Sequence, residues 1–263
     1  MTKINEVSKH TGIEGGHAKN VANFEKLISV CTGYGAPYNP SKTSLKLPGL
    51  NTLLTSALTS MANVKDKFNA WSAAVDAREI LFAPPSFSKF ITRILNALES
   101  SEVTEQKVAD AKTITRKLTG KRATPKTKKT LDSSTTVPAT ETSLVAEHDE
   151  ISSSQMSYDN RLDNFAKLIN LLATETGYAP NEADLKVTAL NTILASIKTK
   201  NTAVINAKTS LDNARINRNK ILYFVPTSIY NTQLDAKKYV KSLFGATSPE
   251  YKLISKIKFI KLA

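Results

Sequence analysis

The sequence predicts an all-α protein of two tandem, similar four-helix units, each with one long helix, joined by a polar linker. The first reason is an internal repeat: "YNPSKTSLKLPGLNTLLTS" from Tyr38 and "YAPNEADLKVTALNTILAS" from Tyr178 are identical at nine of nineteen positions. The second is composition, since nine glycines and ten prolines in 263 residues favour helices over a β fold with many turns. The third is the heptad spacing of the longest predicted helices.

Each copy is predicted to begin with a short helix, at 18–32 in copy 1 and 160–174 in copy 2. The matching stretches "NFEKLISV" from Asn23 and "NFAKLINL" from Asn164 support this pairing. Both helices end before a Tyr-x-Pro loop, which proline and the residue before it keep extended. Tyr38 and Tyr178 are interpreted as packing over this loop rather than binding a ligand.

The long helix follows the loop. In copy 1 its heptad positions recur every four and three residues without a break, which predicts a helix of about 35 residues, roughly 50 Å long. This seam from Leu50 to Phe82 consists of Leu50, Leu54, Ala57, Met61, Val64, Phe68, Trp71, Val75, Arg78 and Phe82. The seam of copy 2 is looser, because Asn201, Lys208 and Arg215 occupy heptad positions. Asn51 and Asn191 lie beside the seams, either exposed on the helix flank or buried to fix the helix register.

The third helices are predicted at 86–100 and 227–244, after the prolines that end the long helices. The fourth are predicted at 102–118 and 249–261. "GATSPEY" marks the boundary in copy 2: Gly245 suits a helix C-terminus, Ser248 an N-cap, and Pro249 and Glu250 the first turn.

These elements predict four regions: a flexible N-terminus (1–17), repeat 1 (18–118), a Ser/Thr-rich linker that is first basic and then acidic (119–157), and repeat 2 (158–263). Each repeat is expected to form its own bundle. Limited proteolysis is therefore expected to cut the linker first and to release two folded fragments.

Four stretches resemble a family of uncharacterised, duplicated helical proteins from Bacteroidota: "YAPNEADLKV", "NTAVINAKTSLDNAR", "VKSLFGATSPEYKLISKIKF" and the "AWSAAVDAR" of copy 1. The resemblance covers about 160–260 best and 20–100 less closely, and copy 1 departs from it after Ser101. It implies a helical, duplicated fold and no particular activity.

No catalytic or metal site is predicted, and the chain is interpreted as a non-enzyme without a cofactor. Glu14 and His17 have the E-x-x-H spacing of di-iron bundles, but two glycines separate them and the repeat supplies no partner motif. The single cysteine, Cys31, is expected to be a buried small hydrophobe. No disulfide, secretory signal or membrane span is visible, which predicts a cytoplasmic protein that does not bind membranes.

Charge is the remaining functional signal. The net charge is +13, and residues 116–131 hold seven basic and no acidic groups. This favours non-specific binding of DNA, RNA or another polyanion through phosphates. The alternative, left open, is a structural or adaptor protein that contacts itself or a partner helix through the seam Leu50–Phe82. The predicted nucleic-acid-binding residues are Arg116, Lys117, Lys121, Arg122, Lys126, Lys128, Lys129, Lys237, Lys238 and Lys241.

Overall fold

The computed structural model describes residues 16–83, 86–121 and 156–261. All regular secondary structure in these residues is helical, which confirms the all-α class. Copy 1 holds four α-helices: α1 (His17–Gly33), α2 (Leu47–Phe82), α3 (Ser86–Glu99) and α4 (Glu105–Thr119). Copy 2 holds α5 (Tyr158–Thr174), α6 (Val187–Asn219), α7 (Ile229–Phe244) and α8 (Pro249–Ser255).

The repeat is visible in local structure as well as in sequence. Each copy places a 3₁₀ turn, Thr43–Leu45 or Ala183–Leu185, just before its long helix. The buried Tyr38 donates its hydroxyl hydrogen bond to the carbonyl of Leu45, and Tyr178 donates to that of Leu185, both at 2.9 Å. Both tyrosines therefore pin the loop to the turn, as their position in the repeat predicted.

The signals in "GATSPEY" are also confirmed. Gly245 follows α7 with a φ of 92°, a left-handed value that glycine adopts without strain. The Ser248 Oγ accepts a hydrogen bond from the backbone N–H of Tyr251, and Pro249 occupies the first turn of α8.

The grouping of the helices differs from the sequence expectation that each repeat forms its own bundle. The chain divides into two compact units, and neither corresponds to one copy. Unit 1 comprises the chain up to Ala73 and from Ile205 onward; unit 2 comprises Ala74–Val204. Each unit therefore combines the first helix and the start of the long helix of one copy with the end of the long helix and the last two helices of the other.

The length of the long helix explains this exchange. α2 has 36 residues, and at 1.5 Å per residue it is about 54 Å long. Helix α1, which precedes α2, and helices α3 and α4, which follow it, cannot pack on the same stretch of it. α1 packs instead against α7 and α8, and α4 packs against α3 and α5.

Each unit has its own apolar core with contributions from both copies. In unit 1, Phe24 and Leu27 of α1 and Leu50 of α2 pack with Leu222 and Val240 of copy 2. The fully buried residues of unit 2 include Ile91, Ile94, Leu98 and Leu118 from copy 1 and Phe165, Leu168, Ile169 and Leu190 from copy 2.

The seam of α2 is consequently shared between two cores. Leu50 and Ala57 are buried in the core of unit 1, and Phe82 is buried in that of unit 2. Between them Phe68 is 45% exposed. Asn51 and Asn191 are exposed, so the register hypothesis is wrong and the exposed alternative is confirmed.

Copy 2 also departs from copy 1 at two places. A π-helical turn, Lys220–Phe224, ends its long helix. Copy 2 reads "NKILYF" at 219–224 where copy 1 reads "REILF" at 78–82, and the wider π-helical turn accommodates the one additional residue. The predicted fourth helix at 249–261 ends at Ser255, and residues 257–261 form no helix. The sequence "KIKFIKL" alternates lysine with apolar residues in part, and that period of two suits an extended segment better than a helix.

Candidate polyanion interface

The exchange of helices concentrates positive charge in one unit. The described residues of unit 1 include 17 lysines and arginines and five acidic residues. Those of unit 2 include 13 basic and 11 acidic residues. Neither copy shows this imbalance so strongly, because unit 1 takes the basic end of copy 2 and leaves most acidic residues of both copies to unit 2.

Two asparagines of α1 hold the C-terminal strap, residues 257–261, against unit 1. The Asn20 amide donates to the carbonyl of Ile260 at 2.6 Å and accepts from its backbone N–H at 3.0 Å. Asn23 donates to the carbonyl of Lys258 at 2.7 Å. The side chains of one helix thus bind the backbone of the strap as a neighbouring strand would.

Lys237 of α7 holds the strap from the other side. Its ammonium donates to the carbonyl of Ile257 at 2.6 Å and lies 5.2 Å from the ring centre of Phe259. Burial, helped by the charge of Lys258, lowers the pKa of Lys237 to about 8. Its role here is to position the strap.

The strap and the adjoining end of α8 present lysines to solvent. Lys256, Lys258 and Lys261 are exposed, whereas Ile257 between the first two is buried. The ammonium of Lys261 lies 5.9 Å from the ring centre of Tyr230 on α7. Because the strap backbone is bound at three carbonyls, these lysines project from a fixed support.

Exposed lysines of α7 and α8 belong to the same unit. Lys238 and Lys241 are exposed on α7, and the ammonium of Lys241 lies 5.8 Å from the ring centre of Tyr251 on α8. Lys252 is exposed on α8. We call these six residues of unit 1 the strap lysines, although only Lys258 and Lys261 belong to the strap itself: Lys238, Lys241, Lys252, Lys256, Lys258 and Lys261.

Two of the five described acidic residues of unit 1 are engaged in ion pairs elsewhere. Asp235 binds Lys42 at 2.7 Å. Asp212 accepts from Lys208 at 2.7 Å and from Arg215 at 3.4 Å, and these bonds lower its pKa. Lys208 and Arg215, which share a helical face in the sequence, are therefore already partly neutralised, whereas no ion pair is seen between a described acid and a strap lysine.

The structure divides the residues that the sequence predicted for polyanion binding. Arg116, Lys117 and Lys121 lie at the end of α4 in unit 2, while Lys237, Lys238 and Lys241 lie in unit 1. The other four predicted residues, Arg122, Lys126, Lys128 and Lys129, lie outside the described residues.

Other residues with chemical potential have structural roles. Cys31 is fully buried, and burial raises the pKa of its thiol to about 11, so it packs as the hydrophobe the sequence predicted. The ring of His17 shares a hydrogen bond of 2.9 Å with the hydroxyl of Tyr223, and burial with the charge of Arg218 lowers its pKa. Glu14 lies outside the described residues. Within the described residues, no group of three or more His, Cys, Asp or Glu side chains that could hold a metal ion is found.

Within the described ranges, no helix combines the length and the apolar character needed to cross a bilayer. No protein-family model, curated protein or solved structure matches the chain. The resemblance to a Bacteroidota family therefore stays a prediction.

The lysines near the C-terminus are visible in the sequence, but the residues that hold the strap are not. Asn20 and Asn23 look like ordinary polar positions of an amphipathic helix, and their partners lie about 240 residues away. One signal was available: Asn20 corresponds to Arg161 in copy 2, so the repeat itself marks the position as changed.

Proposed function

We propose that unit 1 binds nucleic acid or another polyanion through phosphate groups, without enzymatic activity and with little sequence preference. The observation that supports it best is the excess of twelve positive charges among the described residues of unit 1, against an excess of two in unit 2. A concentration of exposed lysine on one body attracts a phosphate backbone and releases its counterions.

The strap lysines are the contact residues in this proposal. They are exposed, and no described acid forms an ion pair with them. The strap, which carries Lys258 and Lys261 and directly follows Lys256, is fixed by Asn20, Asn23 and Lys237. A fixed array loses less conformational entropy on binding than lysines on a free chain. Compact ammonium groups serve as point charges for phosphates, and contacts to phosphates carry no sequence information, which fits binding without sequence preference.

The alternative is an adaptor whose α2 seam contacts a second copy or a partner helix. The exposed Phe68 of the seam and the exposed Leu58 beside the seam favour it, and the Trp71 ring lies 5.7 Å from the Phe68 ring at a tilt of 53°. Against it, Leu50, Ala57 and Phe82 of the seam are already buried within the chain. We therefore place polyanion binding first.

Titrating duplex DNA at several salt concentrations tests the proposal. Each phosphate neutralised contributes about −0.9 to the slope of log K against log salt. Replacing Lys256, Lys258 and Lys261 by alanine should flatten the slope by roughly two to three units and weaken binding similarly for all sequences.

The matched control removes the same charge from unit 2 by replacing the exposed Lys89, Lys198 and Lys200 with alanine. It should leave the slope nearly unchanged. Equal losses from both triple variants would mean that net charge alone drives binding. Binding weaker than about 10⁻⁴ M at low salt, the weak edge of ordinary non-specific affinity, would reject the function and leave the adaptor.

A further inference from the structure

The two units share one contact whose charges are reversed between them. In each unit the 3₁₀ turn of one copy packs against the third helix of the other: the copy 1 turn on α7, and the copy 2 turn on α3. The third helices align through their buried positions, which have the same spacing: Phe87, Ile91, Ile94 and Leu98 in α3, and Ile229, Gln233, Ala236 and Val240 in α7. This alignment makes Arg93 equivalent to Asp235.

In unit 1 the turn supplies the cation and the helix supplies the anion. Lys42 precedes the 3₁₀ turn of copy 1, and its Nζ lies 2.7 Å from an oxygen of Asp235. In unit 2 the polarity is opposite. Arg93 on α3 binds both carboxylate oxygens of Asp184 in the copy 2 turn, at 2.7 and 3.2 Å, and these bonds lower the pKa of Asp184.

We propose that these two reversed ion pairs are a pairing code, by which each copy selects the other copy and rejects a like copy from a second chain. The code makes the chain close on itself as a monomer. Its counterpart is the homotypic arrangement, in which copy 1 pairs with copy 1 and copy 2 with copy 2 of another molecule. Any chain whose cores each combine two similar copies can form such a dimer by exchanging halves with a second chain.

Homotypic pairing would place like charges together at both contacts. A copy 2 pair would bring Asp235 against Asp184, with Glu182 close by. Asp184 is the main cause of the raised pKa of Arg93, and the charge of Glu182 adds to it. A copy 1 pair would bring Arg93 against Lys42. Specificity of this kind comes from repulsion in the wrong complex as much as from attraction in the right one.

The first-helix side of the apolar cores gives little of this discrimination. At three equivalent buried positions α1 and α5 carry the same residues: Phe24 and Phe165, Leu27 and Leu168, and Ile28 and Ile169. A third helix from either copy therefore meets the same three side chains whether it packs on α1 or on α5. The charged contact adds a difference in sign to the differences in side-chain size at other core positions, such as Cys31 and Leu172.

Exchanging the two helix residues should reverse the preference. In the full chain, Arg93→Asp with Asp235→Arg makes both intramolecular contacts repulsive and both homotypic contacts attractive, without changing the net charge. Each exposed pair shifts an equilibrium by up to about fivefold, and two pairs change in each arrangement. We expect the ratio of dimer to monomer to rise about 10- to 100-fold, measured by light scattering after refolding as a gain of species with twice the 28.7 kDa chain mass.

Adding Lys42→Asp and Asp184→Arg restores opposite charges within the chain and should restore the monomer. A control reverses the pair Asp163 and Lys167, which lie on the same helix, and should leave the mass unchanged. A variant Arg93→Asp/Asp235→Arg that stays monomeric would overturn the proposal. If it aggregates instead, the fourfold variant decides: return to a soluble monomer supports the code, and continued aggregation rejects it.

Discussion

Units 1 and 2 have equivalent core positions filled by side chains of different size. The residue in unit 2 is the larger, or the more apolar, at each of six equivalent positions. The pairs, unit 1 first, are Cys31 and Leu172, Ala57 and Ile197, Ile229 and Phe87, Gln233 and Ile91, Ala236 and Ile94, and Val240 and Leu98. Unit 2 therefore buries more apolar volume at these positions, which stabilises it by about 0.8 kcal/mol for each additional methylene.

Buried polar groups show the same difference. Unit 1 buries Asn20, Ser60, Ser228, Thr232 and Gln233, while unit 2 buries Thr115, Arg161 and Asn164. The Gln233 Oε1 of unit 1 has no hydrogen-bond partner, and an unsatisfied buried group costs about 1–3 kcal/mol. The Nε atoms of Arg78 and Arg161 in unit 2 also lack a partner, so the difference between the units lies in the number of buried polar residues.

One equivalent pair shows what unit 1 gains in return. In unit 2, Arg161 donates to the carbonyl of Phe82 at the end of α2 and lies over the rings of Phe82 and Phe87 at 4.3 and 4.9 Å. In unit 1 the equivalent residue, Asn20, contacts the hydroxyl of Tyr223 and binds the strap. The long arginine strengthens a helix junction, and the short asparagine leaves the junction able to hold an extra segment.

If unit 1 binds polyanions as proposed, the two units divide stability and binding between them. At these six positions unit 2 has the larger or more apolar side chains, and its described charges nearly balance, as expected for the more stable unit. Unit 1 has smaller core residues, more buried polar groups and the strap lysines, as expected where binding is favoured over stability. Three predictions test this comparison, in order of decreasing effect.

The prediction with the largest expected effect concerns a cut in the chain between residues 122 and 155. The exchanged cores require the two halves to stay associated in native buffer, whereas separate repeats would release two fragments. The flanks of the cut already meet, since the Met156 side chain packs against Gly120. A specific protease site inserted there, followed by gel filtration, should give a nicked complex of unchanged elution. Separation of the halves would contradict the exchange.

Leu98→Ala should destabilise the protein by about 2–5 kcal/mol, because it empties a fully buried leucine site in unit 2. The equivalent Val240→Ala in unit 1 removes about two carbons and should cost roughly 1–2 kcal/mol. Urea unfolding measures both values, and hydrogen exchange should locate each loss in its own unit. Equal losses in the free energy of unfolding would contradict the inferred difference between the two cores.

The smallest effect is a pH dependence due to Lys237. Its pKa of about 8 in the folded chain is below the value of about 10.4 of an unfolded lysine. Above pH 8 the unfolded chain binds more protons than the folded chain, so this residue makes stability rise with pH from about 8 to 10. The buried Cys31 acts in the opposite direction, because its pKa is raised.

The difference in free energy of unfolding between the wild type and Lys237→Met isolates the contribution of Lys237 to the pH dependence. As the pH rises from 8 to 9.5, the free energy of unfolding should increase more, or decrease less, in the wild type than in the variant. Parallel curves would mean that Lys237 is not buried against the strap.

Part of the candidate site could be predicted from sequence. Lys238 and Lys241 were predicted as binding residues and are exposed. Lys237 was predicted with them but binds Ile257, because the strap that covers it folds back from the end of the chain. The sequence prediction treated the three lysines alike because they cluster, and that clustering gives no information about the segment that covers Lys237.

The sequence by itself determined the helices, their order, their duplication and most of their ends, because caps, prolines and heptad spacing act within a few residues of one another. It determined the burial of Cys31 and the packing of Tyr38 and Tyr178 for the same reason. Only the tertiary structure decided that each core joins both copies, that unit 1 collects the charge, and that Asn20 and Asn23 bind the strap. Those outcomes depend on which copy fills each end of a long helix, and that choice is made by contacts between residues hundreds of positions apart.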